Sequence, residues 1–196
     1  VIEEYTLVQQ FDLNIPVAST EFNETRRIPR KYSCTKEGVS VPITWGDVPE
    51  GTVSVALLME SNEFPGPLWT RWLMWGIPPD ARGLPEAVPN TPEVPSIGPQ
   101  TRQGTNNDKT VGWSGPCPLP EMLDADVVKR GQSAYFSKIR KRVREYFFRL
   151  YALDTDITLG SDATKEAFLR AIDGHVLAGG ELVGEHVAAP GLLVGP

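Results

Sequence analysis

The sequence predicts a mainly β domain in which helical structure enters only near the C-terminal end. Three features support this fold class. Short extended pieces separated by prolines occupy residues 5–45, two continuously apolar segments follow, and a strongly aromatic segment lies near residue 150. Alternating or continuously apolar runs of about four to eight residues are typical of strands, and prolines between them mark turns and edges.

The predicted strands follow one another along the chain. Phe11–Ile15 alternates apolar and polar residues with period two, which favours an extended piece. Thr52–Met59 and Trp72–Ile77 are continuously apolar, as central strands buried on both faces would be. Residues 78–120 hold ten of the eighteen prolines and are predicted to form ordered turns and loops. Tyr146–Leu153 is predicted to be an aromatic strand.

The remaining segments are assigned from their composition and from residues that typically begin or end a helix. Residues 121–143 are acidic first and then basic, and their apolar spacing fits a helix or an alternating strand, so both alternatives stay open. Ser161 or Asp162 can cap a helix that ends at Gly174. A second short helix is predicted over Val176–Leu182.

Length, charge and hydropathy limit the classes of protein. The 196 residues, of which 40% are hydrophobic and 22% charged, fit a single domain spanning residues 1–196. A net charge of −6 argues against sequence-independent nucleic-acid binding, which needs an excess of Lys and Arg. No apolar run approaches the roughly eighteen residues of a membrane-spanning helix, so no integral membrane segment is expected. The first residues lack the pattern of a signal peptide, and the cytoplasm is the expected location.

Cysteine and histidine are rare in this chain. Cys34 and Cys117 are the only cysteines, which excludes a disulfide-rich scaffold; we interpret them as buried thiols, with a single bridge not required. His175 and His186 are the only histidines and lie near the C-terminal end, away from every other motif. This placement disfavours a nucleophile assisted by histidine. Because no ligand pair has zinc-finger spacing, we expect neither a metal nor another cofactor.

A turn rich in glycine and proline is the most informative local motif. Gly112–Pro120 can present backbone N–H groups to an anion, or it can simply be a rigid turn. Together with other short motifs in fixed order, it resembles the phosphatidylethanolamine-binding protein family, especially the bacterial and archaeal branch related to Raf kinase inhibitor protein. The motifs are Lys31–Cys34, Pro42–Trp45, Val48–Thr52, Gly115–Pro118, Tyr146–Asp154 and Gly174–Ala178.

The resemblance implies both a fold and a pocket. The fold would be a Greek-key β-sandwich of two antiparallel sheets with C-terminal helices, here with an insertion at about 121–143 near the pocket. Pockets of this family take phosphate-like anions and phospholipid head groups. The residues that the resemblance implies for ligand binding are Glu60, Pro65, Trp69, Arg71, Gly115, Pro116, Arg144 and Tyr146.

Two of these residues change the chemistry of the pocket. Arg71 and Arg144 stand where the family has histidines, so titrating groups are replaced by permanent cations with planar donor forks. If both guanidinium groups face the pocket, they can hold a phosphate or a carboxylate. If either one instead pairs with Glu60 or Glu145, the ion pair plugs the pocket. The sequence leaves both alternatives open.

Three functions fit this pocket and its surroundings. The favoured one is a binding protein for a small anionic ligand that bears phosphate or carboxylate. The second is a biosynthetic isomerase, dehydratase or cyclase, with Glu60 as general base and Tyr146 as acid; it is less favoured because a carboxylate beside two cations is a weak base. The third is a protein-interaction regulator of the kinase- or protease-inhibitor type, which would meet its protein partner through the basic residues 138–144.

Overall fold

Two antiparallel sheets share one core in the computed structural model, which describes residues 12–22, 26–62, 67–117 and 143–187. The described strands are β1 (Val17–Ala18), β2 (Ile43–Trp45), β3 (Ser54–Asn62), β4 (Leu68–Ile77), β5 (Gly83–Leu84), β6 (Arg102–Gln103), β7 (Val143–Leu153) and β8 (Val176–Val187). A short 3-10 helix, Arg30–Tyr32, precedes β2, and the helix α1, Lys165–Ile172, lies between β7 and β8. The smaller sheet has the order β1-β2-β5, and the larger has the order β6-β4-β3-β7-β8.

The central strand β3 is apolar on both of its faces. Val55, Leu57 and Met59 belong to the core that lies between the two sheets. Ala56 and Leu58 belong to a second cluster, which the sheet forms with α1. Successive residues of a strand point to opposite faces, so a strand covered on both sides has no polar alternation. This double burial explains the continuous apolar run in the sequence.

The fold class predicted from the sequence is confirmed. The two continuously apolar segments lie in β3 and β4, and the aromatic segment lies in β7. The strands form two antiparallel sheets, and the described α-helix follows β7, as the order of the sequence patterns predicted.

Two predictions near the C-terminal end are wrong. The helix begins at Lys165 after Thr164, and not directly after Ser161 or Asp162. Val176–Leu182 is not a second helix but the first part of β8, which pairs with β7 in an antiparallel register. Pairing with a neighbouring strand therefore decides the conformation of a segment whose own composition favours neither state strongly.

Three predictions concern residues outside the described part of the chain. The insertion expected at 121–143 falls there, except that Val143 is the first residue of β7. The alternatives for that segment therefore stay predictions. Phe11 and the candidate ligand-binding residue Pro65 also lie outside the described residues.

The two cysteines form a disulfide, so their interpretation as buried thiols is wrong. Cys34 follows the 3-10 helix and Cys117 lies within the Gly- and Pro-rich turn; their Cα atoms lie 5.2 Å apart across a sequence separation of 83 residues. Cys34 is exposed and Cys117 is half-buried. The bridge ties the turn to the segment that precedes β2.

An irregularity in the pairing of β3 with β4 positions one arginine. Met59 pairs with Trp72, but the next residue, Glu60, pairs with Thr70, which leaves Arg71 as an extra residue in β4. An extra residue of this kind bends the strand locally and redirects a side chain. The side chain of Arg71 therefore does not follow the alternation between the two faces of the sheet that holds elsewhere in β4.

Candidate functional site

Two arginines from different strands hold the same turn. Arg71 lies in β4 and Arg144 in β7, on either side of the central strand β3. Arg71 Nη1 donates to Ser114 Oγ at 3.3 Å, and Arg144 Nη1 donates to the carbonyl oxygen of Cys117 at 2.7 Å. The two guanidinium groups thus reach the two ends of residues 114–117, the segment named here the 114–117 turn.

Backbone contacts fix the 114–117 turn as well. The N–H of Ser114 donates to the carbonyl oxygen of Arg71 at 2.9 Å. The N–H of Cys34 donates to the carbonyl oxygen of Pro116, also at 2.9 Å, and the disulfide lies one residue further on. The turn is therefore attached to β4 at one end and to the segment before β2 at the other.

Gly115 occupies a position in which no side chain fits. A Cβ there would overlap the carbonyl oxygen of Tyr32 and the indole of Trp113. Tyr32 is itself fixed, because its hydroxyl donates to Glu86 Oε1 at 2.9 Å and Lys31 forms an ion pair with the same carboxylate. Burial, together with the hydrogen bond to Glu86, raises the pKa of Tyr32, so the phenol stays neutral. Glycine thus allows the turn to pack directly on this fixed backbone.

Arg71 is buried, and an aspartate compensates its charge. Its Nε donates to Ser61 Oγ at 2.9 Å, and its Nη1 lies 3.0 Å from Asp108 Oδ2. Trp69 Nε1 donates to the other oxygen of Asp108 at 3.2 Å, and the hydroxyl of Ser114 also donates to Asp108. Asp108 therefore accepts hydrogen bonds from a guanidinium, an indole and a hydroxyl, and it holds them in one cluster.

The acid that pairs with Arg71 is neither of the two that the sequence suggested. Glu145 instead exchanges two hydrogen bonds with Asn62: its N–H donates to Asn62 Oδ1 at 2.9 Å, and Asn62 Nδ2 donates to Glu145 Oε2 at 3.1 Å. Among the described residues, Asp108 supplies the carboxylate that pairs with Arg71, and it comes from a loop that carried no pocket motif.

Glu60 lies on the other face of the larger sheet, next to α1. Its carboxylate is fully buried, with Oε1 2.7 Å from Lys165 Nζ and Oε2 2.8 Å from Arg149 Nη1. Arg149 Nε also lies 3.0 Å from Glu181 Oε2. Burial opposes the charge of Arg149, but Tyr151 and the hydrogen bond to Glu181 outweigh it and raise its pKa. This ion-pair network attaches α1 to the sheet.

The side chains of Tyr146 and Glu60 lie on opposite faces of the larger sheet. Ser61 pairs with Tyr146 in the β3–β7 register, whereas Glu60 pairs with Phe147. Tyr146 is fully buried in the core between the sheets, while Glu60 contacts the helix side. Because successive residues point to opposite faces of a strand, the two side chains cannot act on the same substrate atom.

A histidine that the sequence placed away from every motif lies directly beside Arg144. His186 is its partner across the β7–β8 pairing, so the two side chains share one face of the sheet. His186 is 7% exposed, and its Nε2 has no hydrogen-bond partner among the described residues. Burial lowers the pKa of His186, and the positive charges of Arg144 and Arg30 lower it further.

Most of the ligand-binding residues implied by the resemblance lie on one side of the larger sheet. Glu60 is on the other side, and Pro65 is outside the described residues. The side that carries the 114–117 turn holds Trp69, Arg71, Gly115, Pro116, Arg144 and Tyr146.

No sequence pattern indicated Asp108 or His186 at this site. Asp108 follows Arg71 by 37 residues in a loop rich in turn residues, and His186 meets Arg144 only through strand pairing. Within the described ranges, no three His, Cys, Asp or Glu side chains are placed to hold a metal ion. No described helix has the length and apolar character needed to cross a membrane.

Comparison with known proteins gives one consistent result. A family model described as phosphatidylethanolamine-binding protein matches residues 18–124. A UPF0098 protein of Methanothermobacter thermautotrophicus is 38% identical over 163 residues, which cover 83% of this chain and 92% of that protein.

Two solved structures are similar to the fold. CT736 of Chlamydia trachomatis is described as a homolog of phosphatidylethanolamine-binding protein. It matches this chain with a TM-score of 0.68 at 29% identity, and the match covers 89% of this chain and 97% of the CT736 chain. YbcL of E. coli, described as a new member of the mammalian family, has a TM-score of 0.70 and covers 88% of this chain and 97% of its own. Its identity of 21% makes this second likeness one of fold alone.

Proposed function

We propose, from the premise that this chain belongs to the phosphatidylethanolamine-binding protein family in its bacterial and archaeal branch, that it binds a small anionic ligand beside the 114–117 turn. The ligand would carry a phosphate or a carboxylate group. Arg71 and Arg144 would be its main donors, with the backbone of the turn and the Trp69 ring completing the site.

The observation that carries this proposal is the convergence of two guanidinium groups on one turn. Arg71 reaches Ser114 at 3.3 Å and Arg144 reaches Cys117 at 2.7 Å, although the two arginines come from strands that do not pair with each other. A guanidinium is a planar fork of donors that matches the oxygens of phosphate and carboxylate. Each such charge-assisted hydrogen bond contributes about 1.5–3 kcal/mol when it is shielded from water.

The two cations that reach the 114–117 turn support an anion as the ligand. Among the described residues of the cluster, Arg71 and Arg144 carry positive charges and Asp108 carries a negative one. Asp108 and Ser61 also hold the Arg71 guanidinium in a fixed orientation. Donors that are already oriented lose less entropy when a ligand binds, which favours affinity.

The geometry does not favour an isomerase, dehydratase or cyclase that uses Glu60 as base and Tyr146 as acid. An isomerase or lyase of that kind needs Glu60 as base and Tyr146 as acid on one substrate, but these side chains lie on opposite faces of the sheet. Asp108, a carboxylate that does lie on the arginine side, has both oxygens engaged by donors.

The protein-interaction regulator stays a prediction of the sequence. Its basic surface, residues 138–144, lies outside the described part of the chain except for its last two residues. Arg144, one of those two, donates to the 114–117 turn and is part of the anion site proposed here.

The disulfide bears on the cellular location. Cytosolic thiols are kept reduced in most organisms, and intracellular disulfides are common mainly in hyperthermophiles. The bridge between Cys34 and Cys117 fits an oxidising compartment, and it fits the cytoplasm of a hyperthermophile equally well.

Thermal unfolding with added anions tests the proposed function. Inorganic phosphate, phosphoethanolamine and succinate are titrated against the wild type, Arg144→Gln and Arg170→Gln; the last variant removes the same charge from the exposed side of α1. A ligand at 100 times its Kd stabilises a protein by about 2.7 kcal/mol.

We expect at least one anion to raise the Tm of the wild type and of Arg170→Gln, but not that of Arg144→Gln. The proposal fails if none of the three anions stabilises the wild type, or if the stabilisation persists in Arg144→Gln.

A further inference from the structure

His186 lies close enough to Arg144 for both side chains to contact the same small ligand. The two residues are direct neighbours across β7 and β8, and their side chains lie on the face that carries Tyr146. Cβ atoms of cross-strand neighbours are about 4.5–5.5 Å apart. A small ligand held by Arg144 is therefore within reach of the His186 imidazole.

His186 also has a hydrogen-bonding atom that the described residues do not satisfy. The side chain is buried, and Nε2 has no hydrogen-bond partner in the described part of the protein. Buried polar atoms without a partner are uncommon in native structures, and each one calls for an explanation such as a bound ion, ligand or water. A ligand oxygen at this position would satisfy Nε2 and contact Arg144 at the same time.

Burial and the charged groups around His186 favour the neutral form of its imidazole when no anion is bound. Arg144 faces it from β7, and Arg30 follows the segment that runs along the outer edge of β8. The nearest acids along the two strands, Glu145 and Glu185, belong to the alternate positions and point to the opposite face. Burial and the two arginines lower the pKa of His186, whereas a bound dianion would favour its protonated form.

We propose that His186 contacts the ligand and that the site binds a dianionic group, such as a phosphate monoester or sulfate, together with one proton taken up by His186. This inference rests on the proposed anion site. The proton comes from the solvent and the imidazolium then donates to an oxygen of the anion, while Arg144 donates to another. Affinity for a dianion consequently rises as the pH falls.

Calorimetric titration with sulfate tests this coupling on the full chain. Sulfate is the probe because its charge stays constant between about pH 8 and about pH 5.5, the range in which histidine changes charge. We expect the Kd of the wild type for sulfate to decrease by up to about tenfold for each pH unit by which the pH is lowered. This limit applies at pH values where His186 is neutral in the free protein. The affinity of His186→Gln should not change with pH.

His175 is the matched control, because it is the other histidine and lies on the surface, with Nδ1 2.8 Å from Asp154 Oδ1. His175→Gln should keep the pH dependence of the wild type. An NMR titration of the wild type gives a second readout: sulfate should raise the pKa of His186. This readout shows whether His186 takes up a proton on sulfate binding even if His186→Gln does not fold.

Four outcomes would overturn the proposal. Sulfate affinity that is the same at every pH, or that keeps its pH dependence in His186→Gln, removes His186 from the ligand while leaving the anion site intact. A His186 pKa that sulfate does not change has the same meaning. Absence of sulfate binding at every pH also overturns it, and the phosphate and succinate titrations then decide the proposed function separately.

Discussion

Arg71 and Asp108 form the ion pair at the centre of the site, with Arg71 Nη1 3.0 Å from Asp108 Oδ2. The Arg71 side chain is 6% exposed and that of Asp108 is 39% exposed, so the cation is enclosed by the fold while the carboxylate borders solvent. A buried permanent charge is costly unless it is paired and hydrogen-bonded. Asp108 and Ser61 meet that requirement and make an arginine acceptable at this position.

Asp108→Asn should weaken folding and strengthen anion binding. The amide keeps the shape of the side chain but leaves Arg71 without its carboxylate, so we expect a loss of about 1–3 kcal/mol in the free energy of unfolding. Removing a negative charge from the cluster should also lower the Kd for phosphate. Urea unfolding and calorimetry measure the two effects.

Asp47→Asn is the matched control for Asp108→Asn. Asp47 pairs with Arg82 on the surface, where its side chain is 93% exposed, and such pairs contribute about 0–1 kcal/mol. Weaker phosphate binding in Asp108→Asn would mean that Asp108 is needed to organise the site, contrary to this account.

Glu60→Gln should destabilise the protein without changing anion binding. Its carboxylate is fully buried between Lys165 and Arg149, so its removal leaves two cations without their shared partner. We expect a loss of about 3 kcal/mol in the free energy of unfolding, against little change for the exposed Glu50→Gln. A phosphate Kd that changes in folded Glu60→Gln would place Glu60 in the ligand site after all.

The fold could be predicted from the sequence where burial leaves a local pattern. The apolar segment of β3 indicates a strand covered on both faces, because the core and α1 bury alternate residues. Val176–Leu182 carries no such pattern, since it mixes glycine and alanine with larger apolar residues. Its strand conformation comes from pairing with β7, which is an interaction between distant parts of the chain.

The site could be predicted only in part, because its partners are distant in sequence. The motifs singled out Arg71 and Arg144, and both side chains donate hydrogen bonds to the 114–117 turn, at Ser114 and Cys117. Asp108 could not be found in the same way, because aspartate is common in turns for local reasons. The disulfide joins residues 83 positions apart and has no local signal either.

Reduction of the disulfide should lower both stability and anion affinity. A crosslink across 83 residues restricts the unfolded chain, and its loss is expected to cost about 2–4 kcal/mol. The 114–117 turn also loses its covalent anchor at Cys117. Thermal unfolding with and without a reductant measures the first effect, and phosphate titration measures the second.

The double variant Cys34→Ser, Cys117→Ser separates the bridge from other effects of the reductant. It should unfold like the reduced wild type and should not respond to the reductant. A wild-type Tm that full reduction leaves unchanged would contradict a stabilising role for the bridge.

The stability of the protein should fall on mild acidification because of His186. Burial, with the charges of Arg144 and Arg30, lowers its pKa in the folded state, whereas the unfolded chain takes up the proton at about pH 6.5. Below that pH the unfolded state binds more protons, so the free energy of unfolding decreases by up to about 1.4 kcal/mol per pH unit until the pH reaches the lowered folded pKa.

Urea unfolding of the wild type and of His186→Gln between about pH 8 and about pH 5.5, without added anions, measures this dependence. The part of the slope that begins near the pKa of an unfolded histidine should disappear in His186→Gln. An equal slope in both proteins would assign the acid sensitivity to other groups.

The most direct test of the anion site is the crystal structure of the protein grown with selenate, because the anomalous signal of selenium locates the anion. This account predicts a peak beside the 114–117 turn, within hydrogen-bond distance of Arg71 or Arg144, and no peak there in Arg144→Gln. Anomalous peaks confined to other arginines and lysines, or none at all at a selenate concentration that raises the Tm, would contradict it.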